Sequence, residues 1–191
     1  GQVLALSVAQ TTLLTAWFAA GTLAGFALAG KLLSSHFNAY RLSALGALLG
    51  VGAFCCVIFA APLGSADLFR LGACLIGAGG GLFTLGTLTA CMDRTSATGS
   101  GLALGAWGAV QATAVGVGLA AGGIIRDGVQ WLIAAGYAPT FAGPAFGYSV
   151  VYHIDIAFLF FSLIAIGPLV TFKEPTGQKR GTHIGLARLP S

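Results

Sequence analysis

Five runs of apolar residues, each near the twenty that a helix needs to cross a bilayer, limit what this chain can fold into more than any other feature. They fall at about 5–30, 42–61, 67–91, 101–125 and 148–172. Lipid offers the backbone no hydrogen-bonding partner, so a spanning segment must be a helix or part of a closed barrel. Continuous apolar runs of this length, without strand-like alternation, select the helix. The composition agrees: 57% of the residues are hydrophobic and 7% charged, against roughly 25% charged in a soluble domain. The expected fold class is all-α integral membrane, with a five-helix bundle over residues 1–172 and a basic, Gly/Pro-punctuated tail at 173–191. Neither an initiator Met nor a basic stretch with a cleavage site precedes the first run, which reads as a piece of a longer chain rather than a secreted one.

The nine Lys and Arg residues divide unevenly between the loops. Seven (Lys31, Arg41, Arg94, Lys173, Lys179, Arg180 and Arg188) fall on one side of the predicted bundle, with Arg70 and Arg126 opposite. The basic-rich side is expected to be cytoplasmic, so the chain would end inside. Positive charge placed this way reports topology, and no nucleic-acid partner is expected.

The fourth span, Gly101 to Ile125, is mostly Gly and Ala. Gly101 and Gly105 are four apart, and Ala112, Gly116 and Ala120 keep that spacing, which allows backbones to approach closely in lipid. Gln111 and Thr113 lie near its middle, where a polar group needs a partner or a cavity. This span is therefore expected to be an inner helix. The first span carries a stripe of Ser7, Thr11, Thr15, Thr22 and Gly25 with a Gly21/Gly25 pair. The third places Gly77, Gly80, Thr84, Thr87 and Cys91 three or four apart, and Gly77 and Gly81 are expected to pack against a neighbour. Each Thr hydroxyl can equally bond back to its own helix. The second and fifth spans show few polar residues and are expected to face lipid. Phe158, Phe160 and Phe161 fit a lipid-facing surface better than a stacking site.

Residues 126–147 are too apolar for a solvated loop and too broken by Gly and Pro to span, so they are expected to lie along the membrane surface. Trp131, Tyr137, Tyr148 and Tyr152 would form an interfacial aromatic belt. Cys55, Cys56, Cys74 and Cys91 lie inside apolar runs without metal-ligand spacing and read as packing residues; no metal site is expected. No Walker loop, HExxH motif or nucleophile elbow is present, and no enzymatic activity is expected. The ionisable residues are more informative. Arg126 and Asp127 close the fourth span, and His153 and Asp155 enter the fifth on the same side, so Arg126, Asp127 and Asp155 form an expected ionic cluster with an Arg126–Asp155 pair bracing the helix ends. His153 is either hydrogen-bonded locally or an axial ligand for a metal-centred pigment.

The strings GAGGGLFTLGTLTACMD (77–93), LALGAWGAVQATAVG (102–116), IRDGV (125–129) and GYSVVYHIDIAFLF (147–160) resemble the PucC-like bacteriochlorophyll-delivery family of the major facilitator superfamily, which includes PucC and LhaA of purple phototrophic bacteria. The resemblance runs as far as Val170. It implies a twelve-helix transporter-like fold of which this chain would supply the last five helices, with the first, third and fourth spans around a central cavity. GKLLSSHFNAYRL would then be the basic cytoplasmic turn that the superfamily repeats, here without its usual acidic residue.

The function implied by the resemblance is assembly of light-harvesting complexes in an intracytoplasmic photosynthetic membrane, by delivering bacteriochlorophyll to antenna polypeptides or assisting their insertion. Antenna polypeptides or the reaction centre core complex would be its partners, and membrane lipid its surroundings. His153, Trp107 and Gln111 are the candidate bacteriochlorophyll contacts. A secondary transporter of a small amphipathic solute is the alternative; the same Gly and Thr stripes support it, and the scarcity of buried charge for proton coupling weakens it. A purely structural membrane subunit is a third reading, and the pigment content of the purified protein separates the three.

Overall fold

The computed structural model describes residues 8–95, 99–137 and 146–171. Among them every regular element is a helix: α1 (Val8–Ser34), α2 (Ala39–Ala60), α3 (Ala66–Met92), α4 (Ser100–Ala134) and α5 (Phe146–Thr171). All five are long and apolar enough to cross a membrane. Ser7, the side chain of Thr11, residues 138–145 of the long connection and the tail 173–191 lie outside the described residues.

Tight turns make α1, α2 and α3 neighbours in space. His36, at φ 64°, reverses the chain after α1, and the Asn38 carboxamide accepts the backbone N–H groups of Tyr40 and Arg41 to cap α2. Gly64, at φ 60°, does the same before α3, where the Ser65 hydroxyl accepts from the Leu68 N–H.

Helix α3 is the one the others grip. Gly72, Gly79 and Gly86, seven apart, meet α2. A Cβ on Gly79 would lie 2.8 Å from the Gly46 carbonyl oxygen, and one on Gly72 would lie 2.6 Å from a Val57 methyl. Gly77 and Gly81 meet α1, where a Cβ on Gly77 would collide with the Phe18 carbonyl and one on Gly81 would come 2.8 Å from that of Thr22. Gly21 and Gly25 of α1 answer them, pressed against the Cys74 and Ala78 carbonyls. Two four-spaced glycine pairs on parallel helices thus face each other at backbone contact. The run Gly79–Gly81 does not stop α3: Gly79 serves α2, Gly81 serves α1, and Gly80 faces open space.

The expected division into inner and outer helices is corrected at two places. Helix α2 was to face lipid, yet Ala39, Leu42, Ser43, Gly46, Ala47, Gly50, Ala53, Val57 and Ala60 are all buried, a seam with a coiled-coil-like repeat. Its smallness, not its polarity, was the signal for burial. Helix α4 was to be the inner helix, yet none of its residues is buried. Gly101, Gly105 and Gly116 have nothing within 4 Å of where a Cβ would be. Small residues at four-residue spacing permit close approach without supplying the helix that approaches. In contrast, α5 exposes Phe158, Phe160, Phe161 and Ile164, as expected of a lipid-facing helix.

The fourth helix also runs nine residues past Ile125, to Ala134, so the first part of the long connection is helical. At 35 residues it measures about 52 Å, longer than the roughly 30 Å hydrocarbon layer. With Ser100 near one interface, Arg126 falls about 39 Å along the axis, beyond the hydrocarbon edge. That length gives Arg126, Asp127 and the exposed Trp131 access to water and headgroups.

Candidate functional site

Two places hold the polar side chains that a membrane ligand or partner could use. The first lies between α3 and α4. Ala103, Trp107 and Gln111, four apart, sit on one side of α4, and this side meets α3. Trp107 Nε1 donates to Thr87 Oγ1 at 3.4 Å, while the Thr87 hydroxyl itself donates to the Phe83 carbonyl at 2.9 Å. Cys91 Sγ lies 3.9 Å from the Ala103 carbonyl oxygen. Gln111 is half-buried and makes no hydrogen bond among the described residues. An indole edge and a carboxamide are therefore held on a thinly covered helix face at the level of α3's Thr side chains. Thr22 repeats the local bonding, donating to the Phe18 carbonyl at 2.9 Å.

The second place is the start of α5. Positions Gly147 and Gly122 fix its register on α4: a Cβ at Gly147 would lie 3.2 Å from the Arg126 carbonyl oxygen, and one at Gly122 would lie 3.6 Å from a Val151 methyl. The helices run antiparallel, and Asp155 falls level with Gly118. Arg126 is eight residues away, about 12 Å along the axis, beyond the reach of its side chain. The expected Arg126–Asp155 pair does not form. Arg126 instead bonds Asp127 at 2.6 Å, donates to the Tyr148 hydroxyl at 3.0 Å and lies over the Tyr148 ring at 5.3 Å. Asp155, half-buried, has no ion pair or hydrogen bond among the described residues. It stands next to Tyr152, whose ring packs on Phe54 of α2 at 5.9 Å. Tyr148 was visible in the sequence only as an interfacial aromatic. Its spacing from Arg126 in the sequence carried no sign of contact.

His153 is exposed on α5, away from the α2-facing line of Tyr152 and Leu159. Its Nδ1 lies 2.7 Å from the Ser149 carbonyl oxygen. Phe146, Ser149, Val150, His153, Ile154 and Ala157 line a shallow groove of about 430 Å³ along one stripe of α5. His153 is level with Ala120 on α4, which puts it about 13 Å from the level of Gln111 and about 20 Å from that of Trp107. The three candidate contacts occupy two places, not one. A second Arg–Tyr clamp joins α2 to the turn after α3 at the other end of the bundle: Arg94 Nε donates to the Tyr40 hydroxyl at 2.8 Å, with its guanidinium 5.7 Å from the ring centre. No group of three His, Cys, Asp or Glu side chains comes together as a metal site among the described residues.

Comparison with known proteins adds the family. The chain is 45% identical over 197 aligned residues to an uncharacterised protein of the puhA-bchM intergenic region of Rhodobacter capsulatus, covering all of this chain and 41% of that one. It is 44% identical to protein PucC of Cereibacter sphaeroides, over 89% of this chain and 36% of the relative, and 50% identical to protein PucC of Rhodovulum sulfidophilum, over 68% of this chain and 29% of the relative. The chain thus spans about two fifths or less of the length of these relatives. No solved structure matches it. The PUCC protein family model matches residues 1–174, from before α1 to beyond α5, and this multi-pass membrane chain belongs to that family.

Proposed function

We propose that the chain is part of a membrane assembly factor of purple phototrophic bacteria, which delivers bacteriochlorophyll to light-harvesting antenna polypeptides or assists their insertion. The observation that carries this reading is the PUCC family match over residues 1–174. The helix arrangement supports it. Helix α4 exposes an apolar, Gly-rich face with Leu102, Val110, Val117, Leu119 and Ile124 uncovered, a surface suited to lateral contact with a lipid-phase ligand or a client helix. Bacteriochlorophyll is the proposed ligand, and the His153 imidazole, set in an apolar stripe, would offer its magnesium a nitrogen donor. On α4, Trp107 and Gln111 would contact pigment at a separate place, since their levels lie about 20 and 13 Å from that of His153. The chain's part is to bind, orient and release, with no covalent chemistry.

The proposed setting is the intracytoplasmic photosynthetic membrane, with the carboxyl end cytoplasmic and the antenna polypeptides or the reaction centre core complex as partners. Seven of nine basic residues on one side support that orientation. The proposed fold of the whole protein is a twelve-helix major facilitator arrangement to which these five helices contribute the last part.

Full-length protein purified from phototrophic membranes tests the function. Bacteriochlorophyll recovered in near-stoichiometric yield is the expected result, with loss of antenna complexes when the protein is removed. A colourless protein that moves a small solute across vesicles would overturn it in favour of a secondary transporter. Labelling a cysteine placed at Ser35 with an impermeant reagent tests orientation; reaction from the periplasmic side would reverse it.

A further inference from the structure

We propose that Arg41 and Arg94, brought together at one end of the bundle by the Tyr40 clamp, bind the headgroup phosphate of an anionic phospholipid, with the exposed face of α2 below them taking an acyl chain. The site is separate from the pigment reading and does not depend on it. It begins with how the cations are partnered. At the far end of the helices Arg70 bonds Asp67 and Arg126 bonds Asp127, each at 2.6 Å. At this end Lys31, Arg41 and Arg94 are all exposed, and none has an ion pair among the described residues. The first turn of α2 holds no acidic residue, and Asp93, the single carboxylate at this end among the described residues, is already engaged. Three cations against one carboxylate leave a positive surface whose complement is an anion.

The fold aims part of that charge. Arg94 stands in the turn after α3, where the Asp93 N–H donates to the Thr89 carbonyl and the Arg94 N–H to that of Cys91. Its Nε donates to the Tyr40 hydroxyl at 2.8 Å, and its guanidinium lies 5.7 Å from the ring centre. Tyr40 is fixed in turn by the Asn38 cap on its N–H and by the α2–α3 seam beside it, where a Cβ on Gly86 would lie 2.9 Å from the Ala39 carbonyl oxygen. With Nε taken, the two terminal nitrogens of Arg94 have no partner among the described residues and keep the fork that grips a phosphate through two bonds. Arg41 follows Tyr40 on α2, and its side chain makes no hydrogen bond among the described residues. At 22 residues α2 is about 33 Å long, close to the roughly 30 Å hydrocarbon layer, so its first turn stands at headgroup level. Arg41, Leu45 and Leu48 share one side of the helix at i, i+4 and i+7, and both leucines are exposed, about 6 and 10 Å deeper than Arg41. A soluble anion would use the cations alone. A phospholipid uses the cations and the leucines together, which is why the lipid is the occupant.

The test titrates the full-length protein in detergent with dioleoyl phosphatidylglycerol, dioleoyl phosphatidylcholine and glycerol 3-phosphate, and counts bound lipid by native mass spectrometry. The wild type is expected to bind the anionic lipid at least about tenfold more tightly than the zwitterionic one, with glycerol 3-phosphate unable to displace it. Arg41→Gln and Arg94→Gln should each weaken phosphatidylglycerol about fivefold, the order expected of one basic residue at an anionic surface, and the double variant should bind the two lipids alike. Tyr40→Phe keeps the ring but releases the guanidinium, and a loss of about twofold is expected. Arg70→Gln, at the far end, should change nothing. Equal binding of both lipids by the wild type overturns the site, as does a preference that survives in a well-folded double variant. Displacement by glycerol 3-phosphate at lipid-like concentration assigns the cations to a soluble phosphate and overturns the lipid. If the double variant does not fold, salt decides on the wild type: the preference should collapse between about 0.05 and 0.5 M sodium chloride, and its persistence overturns the site.

Discussion

Helices α3 and α4 are both long, apolar and rich in glycine, and they meet opposite fates. In α3 the glycines at 72, 77, 79, 81 and 86 are each covered by a neighbouring backbone or methyl group. In α4 the glycines at 101, 105, 108, 116, 118 and 123 face open space, and the helix touches α3 and α5 along only one side. In α3 the absence of a side chain is needed for the fold. In α4 it leaves an uncovered face, and the composition of the two segments does not distinguish these uses. What separates them is the partner. Short capped turns bring α1 and α2 against α3, with matching glycines at Gly21, Gly25, Gly46 and Gly50, whereas α4 has nothing of the kind opposite it among the described residues.

The comparison can be broken most directly at Gly77. Gly77→Leu would drive a side chain into the Phe18 carbonyl and Thr22, and backbone cannot yield as a flexible side chain can. The expected outcome is a loss of at least about 3 kcal/mol or failure to fold, read by thermal unfolding and by monodisperse yield in detergent. Folding at wild-type stability would mean that α1 and α3 are not in contact. A smaller effect is expected at the α3–α4 contact, where Trp107→Phe keeps most of the ring and loses the long bond to Thr87. About 1 kcal/mol or less should go, with near-ultraviolet dichroism reporting the indole.

Gly105→Leu should be smaller again. In open space the change is expected to stay within about 0.5 kcal/mol, and the helix itself should gain from losing a glycine. A large loss in the full-length protein, set against near-neutrality in these five helices alone, would locate a covering segment from the rest of the chain. The smallest effect belongs to the ionic residues. A double-mutant cycle of Arg126→Ala with Asp155→Ala should show no coupling, because the register puts them about 12 Å apart along the axis. Coupling between Arg126→Ala and Tyr148→Phe should be detectable, since they share a hydrogen bond and a ring contact. The reverse pattern would mean that α5 is displaced by two turns.

Much of the fold is legible from residues alone because each helix is fixed by its own hydrophobicity. Length and continuous apolarity set the five spans to within a few residues, apart from α4, whose last nine residues carry Arg126, Asp127, Gly128 and Gln130 and so look like loop. The Gly21/Gly25 pair and Gly77/Gly81 are legible as packing positions, since small residues four apart are the local requirement for close approach. The bonding of Thr22 and Thr87 to their own helices is likewise a local matter.

What tertiary structure alone decided is who meets whom. A helix's sequence states which face can accept a neighbour but not whether one arrives, so α4 and α2 exchanged the roles their compositions suggested. The same reason separated Arg126 from Asp155: both stand near the same membrane surface, yet partnership depends on a register set by Gly147 and Gly122 across a loop. His153 lies between these cases. Its Nδ1 lies against a carbonyl four residues back on its own helix, which sequence spacing allows. Its exposure depends on which faces of α5 are covered, and only the packing of α2 and α4 against that helix determines this.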